Sequence, residues 1–336
     1  MTKKEKLNNL VKGTNLSEIA FFRPILMNFA AHFINKKYSH FASDYKVLVE
    51  SNIKCMEEFN MDAVGLISDP YREASAFGAE ITFPEDRVPE CRNHLITGYE
   101  DVVNLKIPDI YKSNRTLDRL KGIEEFKKIL GNDVPVIGWI EGPMAEACDL
   151  AGVSEMLMQT MLDEKFTAEL IYKATQMAKL FAKAQIDAGC DVIGIGDAIC
   201  SQISQETFSR FEKEPLREII DYIHENNALV KLHICGNITH LLKDISEIKP
   251  DIVDLDFLVD MDNAYEILDP EIIRCGNINP VDIEQKTPEE IYDITKELCI
   301  KERDRKFILS GGCEITINTP YENLKAMRSA LDDSLN

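Results

Sequence analysis

Eight short apolar runs alternate along this chain with longer stretches of helical periodicity, and few folds accommodate that order. The runs are Pro24–Asn28, Ala63–Ser68, Pro135–Ile140, Asp191–Gly196, Leu229–His233, Ile252–Asp256, Ile272–Cys275 and Lys306–Ser310. Between them lie amphipathic stretches such as Thr167–Ala188 and Glu206–Asn226, where apolar residues recur every three or four positions. Thr287-Pro288-Glu-Glu290 reads as a helix start, with a hydroxyl N-cap, proline at the first helical position and acids in the first turn. Strand, helix, strand in regular succession is the signature of βαβ units with a parallel sheet. Eight such units predict an α/β fold, a (β/α)8 TIM barrel. With no Gly/Ser-rich linker in the chain, the barrel is expected to be one domain over residues 1–336. The long stretch from Tyr71 to Gly131 is an insertion after the second strand. Within it, Ala79-Glu-Ile-Thr-Phe-Pro84 is expected as a small extra strand or a lid element.

Charge and cysteine usage narrow the partners. A net charge of −20 argues against nucleic acid or an anionic membrane surface. No apolar run approaches the roughly 20 residues that a membrane span needs. The first residues carry lysines but no apolar segment behind them, unlike a signal peptide. Nine cysteines without a CxxC pair point to reduced thiols and a cytoplasmic protein. Cys55, Cys148 and Cys190 read as core residues.

The chemistry-bearing pattern is His233-Ile-Cys235, taken with Leu309-Ser-Gly-Gly-Cys313. In an extended strand, side chains two apart point the same way, so His233 and Cys235 share one face. One imidazole and two thiolates suit Zn²⁺, and three protein ligands leave a fourth position for substrate, as catalytic zinc requires. All three candidates fall at or just beyond strand ends, where α/β folds collect functional side chains. Cys275 is the rival for the third metal position, and Cys235-Gly-Asn-Ile238 recurs as Cys275-Gly-Asn-Ile278 in what would be an equivalent strand-end turn. Glu141 and Asp197, just past the third and fourth strands, are candidate catalytic carboxylates that orient a zinc ligand or cap the following loops. Gly194-Ile-Gly196 lacks the third glycine of a dinucleotide fingerprint. Asp254 and Asp256 share a strand face and line the barrel top or form a solvated strand end. Glu314 points away from Cys313 if the backbone there is extended.

With these residues the chain resembles the zinc methyltransferases related to uroporphyrinogen decarboxylase, above all the methylcobalamin:coenzyme M methyltransferases. The resemblance rests on His233-x-Cys235 with late Cys313, on Gly276-Asn-Ile-Asn-Pro280 followed by Thr287-Pro-Glu-Glu290, and on Gly142-Pro143. It runs from the first strand to the C-terminus. The decarboxylase branch matches poorly. Its Arg-Gln-Ala-Gly-Arg segment has no counterpart, and Arg23-Pro24-Ile-Leu-Met-Asn-Phe-Ala-Ala-His32 offers a single arginine there.

The resemblance implies a corrinoid-dependent methyltransferase with the same barrel, zinc on His233, Cys235 and Cys313, and methylcobalamin or a methylated corrinoid protein as donor. A thiol at the open position would be deprotonated by the metal. In free solution, with a pKa of about 8.5, it is only a few per cent thiolate at neutral pH. Lacking an Asp-x-His-x-x-Gly cobalt-binding pattern, the chain is expected to work with a separate corrinoid-binding protein. Coenzyme M as acceptor would bring a sulfonate, for which Arg23, Arg72 and Lys231 are the candidate partners. Two alternatives stand beside this reading: transfer from a small methyl donor onto a corrinoid protein, and a tetrapyrrole-binding barrel without catalysis.

Overall fold

The computed structural model describes residues 1–335. Seven parallel strands form one curled sheet. They are β1 (Val64–Gly65), β4 (Val136–Glu141), β5 (Val192–Gly196), β6 (Leu229–His233), β7 (Ile252–Asp254), β8 (Ile273–Ile278) and β9 (Phe307–Gly311), paired in that order. β2 (Ile81–Thr82) and β3 (Glu90–Cys91) form a separate antiparallel hairpin inside the stretch between β1 and β4. The expected extra strand at Ala79–Pro84 is thus half of a hairpin. Among the described residues, no helix is long and apolar enough to cross a membrane.

The expected first strand is displaced. Phe22 and Ile25 make isolated parallel bridges to Leu309 and Glu314, while Asn28 already begins a helix, Asn28–Phe33. Pro24 has no N–H to give a ladder, which keeps this segment from pairing continuously. On its other side Asp62 closes the gap, donating its N–H to Phe22 O and accepting the Phe22 N–H on Oδ2, both at 2.8 Å.

Alternation along the strands separates two apolar layers. Outward residues such as Val136, Ile195, Leu232, Val253 and Leu309 join the helices in the main core. Inward residues near the strand starts, among them Phe21, Ile137, Val192, Ile252 and Ile308, pack on Leu7 and Leu10 of the helix Lys3–Lys12, which closes the floor. Leu216, Ile219, Ile220 and Ile223 show the helical side of the pattern. Spaced by three and four, all four are fully buried, each contributing roughly 1.5–3 kcal/mol. Their helix, Lys213–Glu225, was expected as part of one helix Glu206–Asn226, but the stretch breaks at Glu212 into Gln205–Phe211 and Lys213–Glu225. Pro215 cannot donate to the carbonyl of Phe211, so the helix restarts with proline in its first turn, where no such bond is needed. Thr287 and Glu290 form the full reciprocal capping box.

The inserted stretch is bolted to the end of β1 by a buried ion pair. Arg115, on the helix Asn114–Leu130, holds both oxygens of Asp69 at 2.6 and 2.5 Å. Burial opposes the charge of Asp69, but Arg115 and Arg72 hold its carboxyl below the ordinary range. A depressed carboxyl stabilises fully above its ordinary value of about 3.9, and that stability is lost as pH falls through the depressed value. Asp69→Asn should therefore cost about 3 kcal/mol at neutral pH. The difference should shrink as the pH falls below the ordinary carboxylate range, as read from denaturant unfolding across a pH series.

Candidate metal centre

β6 points Lys231 and His233 into the barrel, and the chain carries Cys235 to the same side two residues on. Cys313 arrives from the turn after β9. Gly312 lets it approach, because a side chain there would collide with the backbone of Asp256 and Phe257. His233 Nε2 lies 2.9 Å from Cys235 Sγ, and Cys235 Sγ lies 3.2 Å from Cys313 Sγ. One donor atom from each of the three residues falls within 4.8 Å of the others. The hydrogen bond from Cys235, helped by His233 and opposed by burial, draws the Cys313 thiol down to about 5. Sharing with Cys313, and burial, push Cys235 up in turn. One sulfur is thus ready to ionise and the other waits for a cation to replace its proton. Two thiolates and an imidazole at this spacing fit zinc.

The imidazole is aimed by Asp254. Asp254 Oδ2 lies 2.8 Å from His233 Nδ1, and the other oxygen takes an ion pair from Lys231. Burial would raise Asp254, but Lys231 and His233 hold it well below the carboxylate range. Burial also opposes protonation of His233, yet the hydrogen bonds to Asp254 and toward Cys313 outweigh it and raise the ring to about 9. With Nδ1–H committed to Asp254, it is Nε2 that faces the sulfurs, so a cation that displaced its proton would meet the arrangement of a metal-ligating histidine.

Trp139, the chain's one tryptophan, walls this site, its ring 5.8 Å from that of His233. Gly194 and Gly196 make room for it. A Cβ at Gly194 would collide with the indole, and one at Gly196 would come within 3.0 Å of Nε1. Space for an indole, then, accounts for the Gly-Ile-Gly pattern. Gly194→Ala should cost about 1–3 kcal/mol by overpacking, visible as a lowered melting temperature with a shift in tryptophan emission.

The other candidates have different surroundings. Among the described residues, neither Glu141 nor Asp197 hydrogen-bonds to any of the three donors. Asp254 makes the contact that sequence reasoning had assigned to one of them, because it lies opposite His233 in the β6–β7 register. Asp197 caps the helix Pro143–Ala151 from outside, accepting the Ala145 N–H at 3.0 Å. Glu141 takes Arg72 Nη2 at 2.6 Å. Cys275 is fully buried inside β8, 3.7 Å from Lys231 Nζ, so the repeated Cys-Gly-Asn-Ile does not form equivalent turns. Asp256 is buried and accepts the N–H groups of Gly236 and Leu258. Glu314 turns away from the sulfurs to accept the Asn28 N–H.

Comparison with known proteins supplies relatives for the chain as a whole. A family model described as uroporphyrinogen decarboxylase (URO-D) matches residues 2–334. Methylcobamide:CoM methyltransferase MtaA of Methanosarcina barkeri is 28% identical over 229 residues, 67% of this chain. That match spans 66% of the relative, just under two thirds of its length. Methylcobamide:CoM methyltransferase MtbA of Methanosarcina acetivorans is 27% identical over 270 residues, 79% of this chain and 78% of that one. A solved methyltransferase from Methanosarcina mazei superposes with a TM-score of 0.89 over 99% of both chains at 23% identity, a likeness of fold.

Proposed function

This chain belongs to the uroporphyrinogen decarboxylase family, and we propose that within it the protein is a zinc-dependent methyltransferase carrying a methyl group from a methylated corrinoid to a small thiol. The observation that carries the reading is the convergence of His233, Cys235 and Cys313 within 4.8 Å. Zinc on these three residues would lower the pKa of a thiol at its open position and so supply a sulfur nucleophile at neutral pH. A soft Cys₂His set suits a sulfur substrate better than an ether or amine. The names of the two Methanosarcina relatives, both methylcobamide:CoM methyltransferases, support a corrinoid donor and a thiol acceptor.

In the net transfer the thiol gives up its proton and a sulfur electron pair forms the S–CH₃ bond. The electron pair of the Co–CH₃ bond stays on the corrinoid, taking cobalt from the +3 to the +1 state. The protein's part is positional. Asp254 fixes the ring of His233, Trp139 closes the site on one side, and Asp197 anchors the helix that begins after β4. Glu141 acts through the electrostatics of the mouth. Phe257 and Leu258, 42% and 53% exposed, follow Asp256 beside Gly312 and give the rim an apolar stretch against which a corrin face can lie. On this reading a separate corrinoid-binding protein presents the donor. The sheet is a (β/α)8 barrel in which Phe21–Ile25 takes the eighth place, with residues 71–131 carrying the insertion in a single domain.

Chelation should abolish thiol-dependent demethylation of methylcobalamin, followed by its absorbance, and Zn²⁺ should restore it. Full activity in metal-free protein would sink the proposal.

A further inference from the structure

We propose that the metal site doubles as a redox switch: peroxide joins Cys235 to Cys313 as a disulfide that cannot hold zinc, and the acceptor thiol reopens it. The inference rests on the metal-site and methyl-transfer reading and adds to it a means of control.

Distance selects this pair. Cys235 Sγ and Cys313 Sγ are 3.2 Å apart, so an approach of about 1.2 Å brings them to the bonded length of about 2.0 Å. Both lie in turns that can give by that much. β6 ends at His233 and β9 at Gly311, so neither cysteine is tied into a strand ladder. Gly236, at φ +92°, follows one of them, and Gly312 precedes the other. Access selects the same pair. Six cysteines are buried, and Cys91, Cys235 and Cys313 are the three that are half-buried. Cys91 lies apart on the β2–β3 hairpin, where its thiol meets the Asn93 carbonyl at 3.4 Å. In the sheet, β7 and β8 stand between β6 and β9. The bond would therefore cross the end of the barrel between strands that are not neighbours.

Closure is a two-electron oxidation. One sulfur takes an oxygen from hydrogen peroxide as a sulfenic acid and the first water leaves. The other sulfur then displaces the second water and forms the S–S bond. Two thiols and one peroxide thus give one disulfide and two waters. Starting from two thiolates, the two protons come from solvent. A partner sulfur this close ends the oxidation at its reversible stage. With both sulfurs tied to each other, His233 is the one donor left of the three, too few to keep a cation. Reopening needs two molecules of a small thiol. The first attacks one sulfur to form a mixed disulfide, and the second releases it, leaving two protein thiols and the oxidised dimer of the small thiol. The methyl acceptor is itself a small thiol, and it must reach these same sulfurs to meet the metal. Peroxide shuts the site, and the substrate opens it.

Zinc-loaded protein treated with a small excess of hydrogen peroxide, and then with 2-mercaptoethanol, tests both steps. Free thiols, counted after unfolding, should fall by two from nine. One zinc per chain should pass to a colorimetric chelator, and peptide mapping should find Cys235 linked to Cys313. 2-Mercaptoethanol with added Zn²⁺ should return both thiols and the metal. Cys91→Ala should behave in the same way, and Cys313→Ala should form no disulfide. Peroxide that releases zinc while leaving the two cysteines unlinked overturns the inference, as does a linked pair that 2-mercaptoethanol leaves closed. A protein that keeps its zinc and its nine thiols, and still demethylates methylcobalamin, also overturns it but leaves the methyl-transfer reading standing. A protein that links the pair yet binds no zinc when reduced would instead overturn the metal-site reading, and the disulfide would have no metal to eject.

Discussion

Cys313→Ala should lower zinc affinity by roughly 10²–10³-fold and remove methyl transfer with it. Structural zinc sites with four ligands contribute roughly 10–16 kcal/mol, so one ligand is worth about 3–4 kcal/mol, and each 1.4 kcal/mol is tenfold. The fold should survive. Cys313 sits half-buried in a turn beyond β9, and no core packing depends on its sulfur. Chelator competition for zinc, run beside a thermal melt, separates loss of the metal from loss of the structure. A Cys313→Ala protein that kept one zinc at undiminished affinity would show that the sulfur 3.2 Å from Cys235 is not a ligand. Cys275→Ala serves as the contrasting variant. Its sulfur faces Lys231, so zinc affinity should hardly change while stability falls.

The second large effect belongs to Asp254, whose two oxygens do different work. Losing the contact to His233 Nδ1 should cost about 10–100-fold in metal affinity, since carboxylates behind ligating histidines are worth that much. Losing the contact to Lys231 leaves an ammonium group 3% exposed without its counter-ion, at about 3–5 kcal/mol of stability. Asp254→Asn should show both deficits. Adding Lys231→Met should restore most of the stability and none of the metal affinity, because only the uncompensated charge is repaired. If the double variant also regained zinc, the carboxylate would be holding the fold and not aiming the imidazole.

Much of the framework was legible because burial imposes simple periods on a chain. β6 occupies the expected Leu229–His233, and the other strands lie within a few residues of their apolar runs. The first strand was misplaced because an apolar run containing Pro24 satisfies the hydrophobic pattern while failing the hydrogen-bonding one. The helix expected at Glu206–Asn226 was read as one for the converse reason: its apolar spacing runs on, but Pro215 ends one ladder and starts another.

At the candidate metal centre, what was legible is local and what was not depends on register. That His233 and Cys235 face one way follows from the two-residue period of any strand, so the chemistry of the pair belongs to the sequence. Asp254, not Glu141 or Asp197, reaches the imidazole because of the offset between β6 and β7, which no local pattern encodes. The same holds for the carboxyls that Arg72 pairs with, Glu73 and Glu141, which lie far apart along the chain and meet only through tertiary packing. The sequence by itself determined the candidate donor atoms and the parallel α/β order, through residue type and spacing. Tertiary structure alone decided which sulfur joins the pair and which carboxylate aims the ring, because contacts across strands are set by sheet curvature and register.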